Sequence, residues 1–384
     1  MDGDDANSAI ISPRLSVIVP THSGRGRLVQ ELVQGARDEF SSGTVELLVV
    51  DSSQGHEATA LEEVCDSVRG CRYLRGPQDA ASKRNIGGGE AAGGLLLFVD
   101  SDCLLTAETI RAHLDFMTAA PAQVGAAIGP TRMADRGDVH PWTVVRHSRM
   151  YNQCYDWPER YDRVLWGTTS NLVVRREAFE KVGGFRTMRP APVGGEDVDF
   201  GVRLTEAGFD IATNPTAVVY HRRAHIRGLR AIARSLFHYG AADAALVDLH
   251  PHRARAHQPT QLAGAVLLGA AFAVSGRRTR AALAVGTLGY AAARLSRRGG
   301  SMYGASTTGS VPAAELPQRL AARCLDATFT LGVVVGALRR GRPGLALRRF
   351  TYVDAEGFSR RTTDPPLPAA PPPLTAPGDA DPHE

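Results

Sequence analysis

Asp100-Ser101-Asp102 places two carboxylates one residue apart, directly after the apolar run LLLFV at 95–99. Mg²⁺ or Mn²⁺ takes one or two carboxylates together with phosphate and water oxygens. A cation held there would neutralise the charge that develops on a departing diphosphate. The triplet could instead cap a helix, but Thr106 stands closer to the helix expected from residue 107 and is the better N-cap. A second acidic group, Glu196-Asp197 with Asp199 beyond it, follows Gly194-Gly195 and opens another expected helix. Acidic residues suit the first turn of a helix electrostatically, yet one of them could also take a proton from an acceptor hydroxyl. Lys83 and Arg84 lie near the start of a third helix, where cations and N-terminal amides suit phosphate. His221 offers an imidazole to a metal, and Arg222 and Arg223 after it could clamp a diphosphate. His225 completes an H-x-x-x-H pair with His221, but the absence of a carboxylate between them argues against a zinc-enzyme motif.

These residues need a scaffold that brings them together. Residues 15–20, 45–50 and 95–99 are short, largely apolar runs, residues 72–74 read as a further short strand, and residues 28–40 and 61–68 between them carry helical spacing. Continuous apolar strands alternating with helices predict an α/β protein whose parallel sheet is covered on both faces. Ligands of such sheets bind beyond the carboxyl ends of the strands. Pro20-Thr21, Asp51 and Asp100–Asp102 all fall at strand ends, so one converging site is expected. A more mixed stretch follows over residues 124–220, with a strand at 171–175 and helices near 177–182 and 196–207.

The composition is that of a folded domain: 384 residues, 43% hydrophobic and 22% charged, with a net charge of +4. No basic run is interleaved with aromatics, so no nucleic-acid partner is expected. The five cysteines are scattered without a C-x-x-C pair, which argues against a disulfide framework and for a reducing compartment. The acidic, polar first twelve residues contain no apolar core of a secretory signal. Residues 1–14 are expected to be disordered, and 251–345 to be an apolar helical appendage. Its stretches at 262–274, 281–293 and 325–338 are flanked by arginine pairs. Each is shorter than the roughly 20 residues of a spanning helix, and they are apolar nearly all round. They are therefore expected to associate with a membrane surface rather than form a soluble cap. A Pro/Ala-rich tail, expected to be disordered, occupies 346–384.

Taken in order, LSVIVPT (15–21), LVVD (48–51), ASKRN (81–85), FVDSD (98–102), TSNLVVR (169–175) with Gly183-Gly184-Phe185, and GEDVD (195–199) resemble the family 2 glycosyltransferases of the GT-A fold. The resemblance covers about residues 15–250 and implies a nucleotide-sugar half over 15–107 and an acceptor half over 108–250. It implies inverting transfer from a nucleotide-diphosphate sugar, commonly a UDP-sugar, with Mg²⁺ or Mn²⁺ as cofactor. By position, Pro20, Thr21, Asp51, Lys83, Arg84, Asp100 and Ser101 would hold the donor. Asp102, with Asp100 and His221, would hold the metal. Asp197 would be the general base beside Glu196, while Thr169, Ser170 and Asn171 would line the acceptor pocket. Only Asp51-Ser52-Ser53 stands where the family usually has two acidic residues, which blurs the choice of nucleotide. The Q-x-x-R-W motif of processive synthases is missing after His221, so a single transfer is expected. The segment from Phe237 to Pro251, followed by apolar stretches, is similar to membrane-associated members such as mycofactocin glycosyltransferases. It implies a small-molecule, peptide-derived or lipid-linked acceptor.

Rival classes fit less well. A dinucleotide-dependent oxidoreductase would use Gly24-Arg25-Gly26, but the third glycine of its fingerprint falls at Val29. A nucleotidyltransferase would need a longer glycine-rich basic loop at this place. An inactive membrane scaffold would be expected to have lost Asp102 or Asp197, and both are present.

Overall fold

The structure is a computed structural model that describes residues 13–134, 142–145, 147–148, 150, 154–188, 194–222, 228–257, 276, 316–353 and 358–360. The apolar runs form the expected strands. β1 (Leu15–Thr21), β2 (Val45–Asp51), β3 (Cys71–Arg75) and β4 (Leu95–Phe98) pair in parallel, in the order β4-β1-β2-β3. β1, β2 and β4 are buried along their whole length, because helices cover both faces. The chain leaves β1 toward β2 and β3 and later returns to β1's other side as β4. This makes a topological switch point between β1 and β4, the place where open α/β sheets bind ligands.

Beyond β4 the sheet becomes mixed. β9 (Leu172–Arg175) runs antiparallel to both β4 and β6 (Val124–Ile128), then β10 (Asp210–Thr213) pairs parallel with β6, and β8 (Tyr161–Val164) antiparallel with β10. A small second sheet over the switch point joins β5 (Cys103–Leu104), β11 (Val219–His221) and β7 (Thr131–Met133). Four helices matter for the site and its support: α1 (Gly26–Gly35), α2 (Ala80–Glu90), α3 (Ala107–Ala119) and α4 (Glu196–Glu206). Thr106 caps α3 by accepting from the Thr109 amide at 3.3 Å, as the sequence predicts, and leaves the Asp-Ser-Asp turn outside the helix.

The C-terminal region differs from expectation in two ways. The apolar stretch 325–338 belongs to a longer helix, α6 (Leu316–Arg339), which packs along α5 (Leu229–Leu249) within the main hydrophobic core. Its segment Pro317–Arg339 is long and apolar enough to cross a membrane, with 44% of its most apolar window buried. The stretches 262–274 and 281–293, residues 1–12 and the tail from 361 lie outside the described residues. Disorder beginning at 346 does not hold, since β13 (Arg348–Phe350) pairs with β12 (Ala254–Ala256) and β14 (Ser359–Arg360) with the sheet-edge strand β8. The physical reason is burial: Phe350 and Tyr352 are almost wholly covered, and Trp166 Nε1 donates to the Tyr352 carbonyl at 3.0 Å. Proline-rich composition told nothing of these anchors.

The α5–α6 crossing depends on glycine. A Cβ on Gly240 would lie 1.9 Å from the Phe329 carbonyl oxygen, and one on Gly332 2.0 Å from that of Phe237. We expect Gly240→Ala and Gly332→Ala each to cost about 1–3 kcal/mol through overpacking. Gly89→Ala, where an added methyl meets nothing within 4 Å, should cost far less. Denaturant unfolding of the three variants checks the ranking; a destabilised Gly89→Ala with a wild-type-like Gly240→Ala would refute it.

Candidate functional site

Two clusters of polar side chains meet at the C-terminal edge of the parallel strands, and one arginine joins the second of them across the sheet. The first cluster surrounds Asp102. The turn after β4, closed by the Cys103 amide donating to the Asp100 carbonyl at 3.0 Å, sends the two aspartates to different partners. Asp102 Oδ2 accepts from Arg25 Nη1 at 2.8 Å, and its Oδ1 lies 2.8 Å from His221 Nε2. Burial opposes the charge on Asp102, but the His221 hydrogen bond and the Arg25 guanidinium more than offset it and hold the carboxyl well below its usual range. Asp102, Cys103 and His221 are all buried, and their carboxylate oxygen, thiol sulfur and ring nitrogen lie within 4.8 Å of one another. Such a donor set fits a divalent cation with positions left for substrate oxygens. Asp100, expected as a metal ligand, faces elsewhere. Arg222, expected to clamp a diphosphate, is held by Glu31 of α1 at 2.5 Å. Arg223 and His225 lie outside the described residues.

The second cluster is organised by Arg84 in α2. This buried guanidinium donates to Asp100 Oδ1 at 3.1 Å and to Glu196 Oε1 at 3.0 Å, and it sits over the Phe185 ring. Asp100 follows β4 and Glu196 opens α4, so one side chain ties the two halves of the site together. Gly194 and Gly195 before α4 both have φ of 89°, a left-handed turn that delivers the chain to the helix against α5. Next to Glu196, Asp197 accepts from the Val198 amide at 2.9 Å. Burial, and then the neighbouring Glu196 carboxylate, push its pKa up to about 7 against the opposing pull of Arg84. Asp199 points away, into a buried ion network with Arg203 Nε at 2.8 Å, Arg186 at 3.3 Å and His250 Nε2 at 3.0 Å. Within the acidic triplet the third member is therefore structural.

Lys83 lies at the ends of β1 and β2. Its Nζ donates to the Thr21 carbonyl at 2.5 Å and to Ser52 Oγ at 2.8 Å, so it stitches the ends of β1 and β2 together, and burial lowers its pKa. Asp51 is wholly buried. It accepts from the Ser53 amide and hydroxyl at 2.9 and 2.8 Å and from the Tyr73 hydroxyl at 3.0 Å, so it organises the Ser52-Ser53 turn. Pro20 and Thr21 end β1 in register with Val50 and Asp51, and Ser101 sits buried in the turn between the two aspartates. Asn171 is buried deeper than a pocket residue would be. Its amide nitrogen donates to the carbonyls of Pro130 and Ala217, and its Oδ1 lies 2.8 Å from His113 Nε2, which locks the small sheet onto β9. Ser170 Oγ is 3.0 Å from Thr131 Oγ1, and Thr169 is buried beside it. Two surface depressions, one by Arg111 and Asn214 and one by Glu206 and Arg253, contain none of these residues.

Residues 16–183 match the profile of Glycosyl transferase family 2. Over this stretch, a little under half of its length, the chain is similar to that family. Two curated relatives, both named N-acetylglucosaminyl-diphospho-decaprenol L-rhamnosyltransferase, from the CDC 1551 / Oshkosh and H37Rv strains of Mycobacterium tuberculosis, are each 34% identical over 131 residues. That match covers 34% of this chain, which spans about two fifths (39%) of the relatives' length. A mannosyltransferase from Pyrobaculum calidifontis, solved in complex with GDP-Man and Mn²⁺, superposes with a TM-score of 0.51 at 19% identity, covering 84% of this chain and 87% of its own. The likeness shows the fold: the chain has the GT-A architecture, with the helical C-terminal region packed on it.

Sequence reasoning missed Arg25 and Cys103. Arg25 carried a usable signal, since it lies in the loop after β1, at the same sheet edge as Thr21. Cys103 carried none, because only the pairing of β5 with β11 sets it beside His221.

Replacing Arg84 strands two carboxylates. We expect Arg84→Met to cost about 2–3 kcal/mol, as loss of a charged hydrogen-bonding partner does, and to separate the two halves of the site. Thermal unfolding measures the loss. A variant as stable as wild type would mean that the Asp100–Arg84–Glu196 bridge carries no weight.

Proposed function

We propose that this protein transfers a glycosyl group, with inversion, from a nucleotide-diphosphate sugar to an acceptor hydroxyl, one sugar at a time. The observation that carries the reading is the Arg84 bridge, which sets a carboxylate of near-neutral pKa, Asp197, beside the strand-end edge that holds Asp100 and Asp102. A general base works best when its pKa lies near the working pH. Ionised Asp197 would take the proton of the attacking hydroxyl, while Glu196, fixed by Arg84, orients the acceptor. Asp102 and His221 would hold Mg²⁺ or Mn²⁺, which when bound neutralises the departing diphosphate, while Asp100 is engaged by Arg84. Lys83 and Arg25 bring positive charge to the same edge, and Pro20, Thr21, Asp51 and Ser101 shape the nucleotide end. Thr169 and Ser170 border the acceptor side, where Asn171 fixes the backbone.

The donor is proposed as a UDP-sugar, a choice that rests on the family resemblance alone. The decaprenol in the name of the curated relatives supports a lipid-linked acceptor. So does α6, on which Leu320, Leu331 and Leu338 are exposed and whose end carries Arg339 and Arg340. These features support work at the cytoplasmic face of a membrane. A second reading as an inactive scaffold has no observation in its favour, because Asp102 and Asp197 are present.

Two measurements test the reading. UDP with Mn²⁺ should raise the melting temperature of wild type, and Asp102→Ala should abolish the rise; absence of any shift across a panel of nucleotide diphosphates with metal would sink the proposal. Asp197→Asn should keep the shift but lower kcat by roughly a hundredfold to ten-thousandfold. Because the base acts only when ionised, the wild-type rate should climb as pH rises through about 7. The linkage has the opposite sign for stability: a carboxyl with a raised folded-state pKa favours the fold while protonated, and that contribution is lost as pH rises through about 7. A flat rate profile across that range would remove Asp197 from the role.

A further inference from the structure

The thiol of Cys103 lies within the donor cluster of Asp102 and His221 because of backbone pairing. β5 and β11 are antiparallel, and Cys103 stands directly opposite His221 in register. Side chains opposed in this way project to the same face of the pair with Cβ atoms about 4.5–5.5 Å apart. One further backbone bond fixes the neighbouring carboxylate, since the Arg222 amide donates to the Asp102 carbonyl at 2.7 Å. The result is one oxygen, one nitrogen and one sulfur donor, all from buried residues and all within 4.8 Å of one another. An all-oxygen pair of aspartates would suit Mg²⁺, which prefers oxygen in near-octahedral geometry and keeps its waters. Imidazole and thiolate instead suit borderline cations, for which affinity climbs from Mn²⁺ to Co²⁺ and falls between Cu²⁺ and Zn²⁺ while staying above Mn²⁺. Three protein ligands with the other positions open form the pattern of a metal that also meets substrate.

We propose that Cys103 is a third protein ligand of the donor-site cation, and that it biases the site against Mg²⁺ and toward Mn²⁺, Co²⁺ and Zn²⁺. The inference rests on the metal reading given above. On coordination the sulfur binds as thiolate, and the thiol proton leaves to solvent. Arg25 bonds Oδ2 of Asp102, and Oδ1 is the oxygen beside His221. A second cluster of potential ligands, Glu206, His250 and His252, offers only oxygen and nitrogen, so it cannot imitate a sulfur signature.

The test is titration of the full-length protein with Co²⁺, followed by absorption spectroscopy and calorimetry. Wild type should show a saturable near-ultraviolet sulfur-to-cobalt charge-transfer band. Cys103→Ser and Cys103→Ala should lose the band and bind Co²⁺ and Zn²⁺ on the order of tenfold more weakly, with Mg²⁺ affinity unchanged. Asp102→Ala should lose the band as well, which separates this site from the remaining cysteines. Two variants guard against misfolding, and each should melt cooperatively near the wild-type temperature. Co²⁺ binding by wild type without a charge-transfer band, or a band that survives in both Cys103 variants, overturns the proposal while leaving the metal site intact. No Co²⁺ or Mn²⁺ binding at this site at all overturns the metal reading and this inference together.

Discussion

A guanidinium that is almost wholly buried must find partners for its charge, because leaving it unpaired would cost far more than any one contact returns. Arg84 finds them in Asp100 and Glu196, which belong to distant parts of the chain. That one requirement fixes the distance between the edge of the parallel sheet and the first turn of α4. The rest of the site inherits its geometry from the bridge. Asp197 is next to Glu196, and its raised pKa follows from burial together with a carboxylate neighbour that Arg84 itself holds in place.

The bridge also explains why the two aspartates of the Asp-Ser-Asp turn have separate duties. Asp100 is committed to Arg84, and Asp102 turns toward His221, Cys103 and Arg25. A carboxylate with two charged or polar partners stays ionised far below neutral pH, as a metal ligand must. Charge at this edge is thus arranged in two layers. An ionised carboxylate, Asp102, lies on one side of the turn, and a carboxylate poised near neutrality, Asp197, lies across the Arg84 bridge.

The C-terminal region acts on the same frame from behind. α5 packs against the left-handed Gly194-Gly195 turn that launches α4, and α6 packs against α5 through contacts that only glycine permits. The strands after α6 then return to cover the open edge at β8 and bury Tyr352 against Trp166. An apolar helix that contributes to the core and also exposes Leu331 and Leu338 serves two environments at once.

The strands, their parallel pairing and the acidic residues at their ends were legible in the sequence, because largely apolar runs and strand-end polarity are local signals, whereas their order around β1 was not. So were the Thr106 cap and the helix opened by Glu196. Asp51 and Asn171 looked like ligand-binding residues, and the structure gives their polar atoms to the Ser53 turn and to the Pro130 and Ala217 carbonyls. The sequence cannot reveal this, since a buried hydrogen-bonding role and an exposed binding role use the same side chains. What composition and spacing determined by themselves was the α/β class and the identity of the acidic groups. That Asp100 bonds Arg84, that Asp102 bonds Arg25 and His221, and that Cys103 stands opposite His221 were decided by tertiary structure alone. The Arg84–Glu196 and Asp102–His221 contacts and the pairing of β5 with β11 each join segments more than a hundred residues apart, which no local pattern encodes.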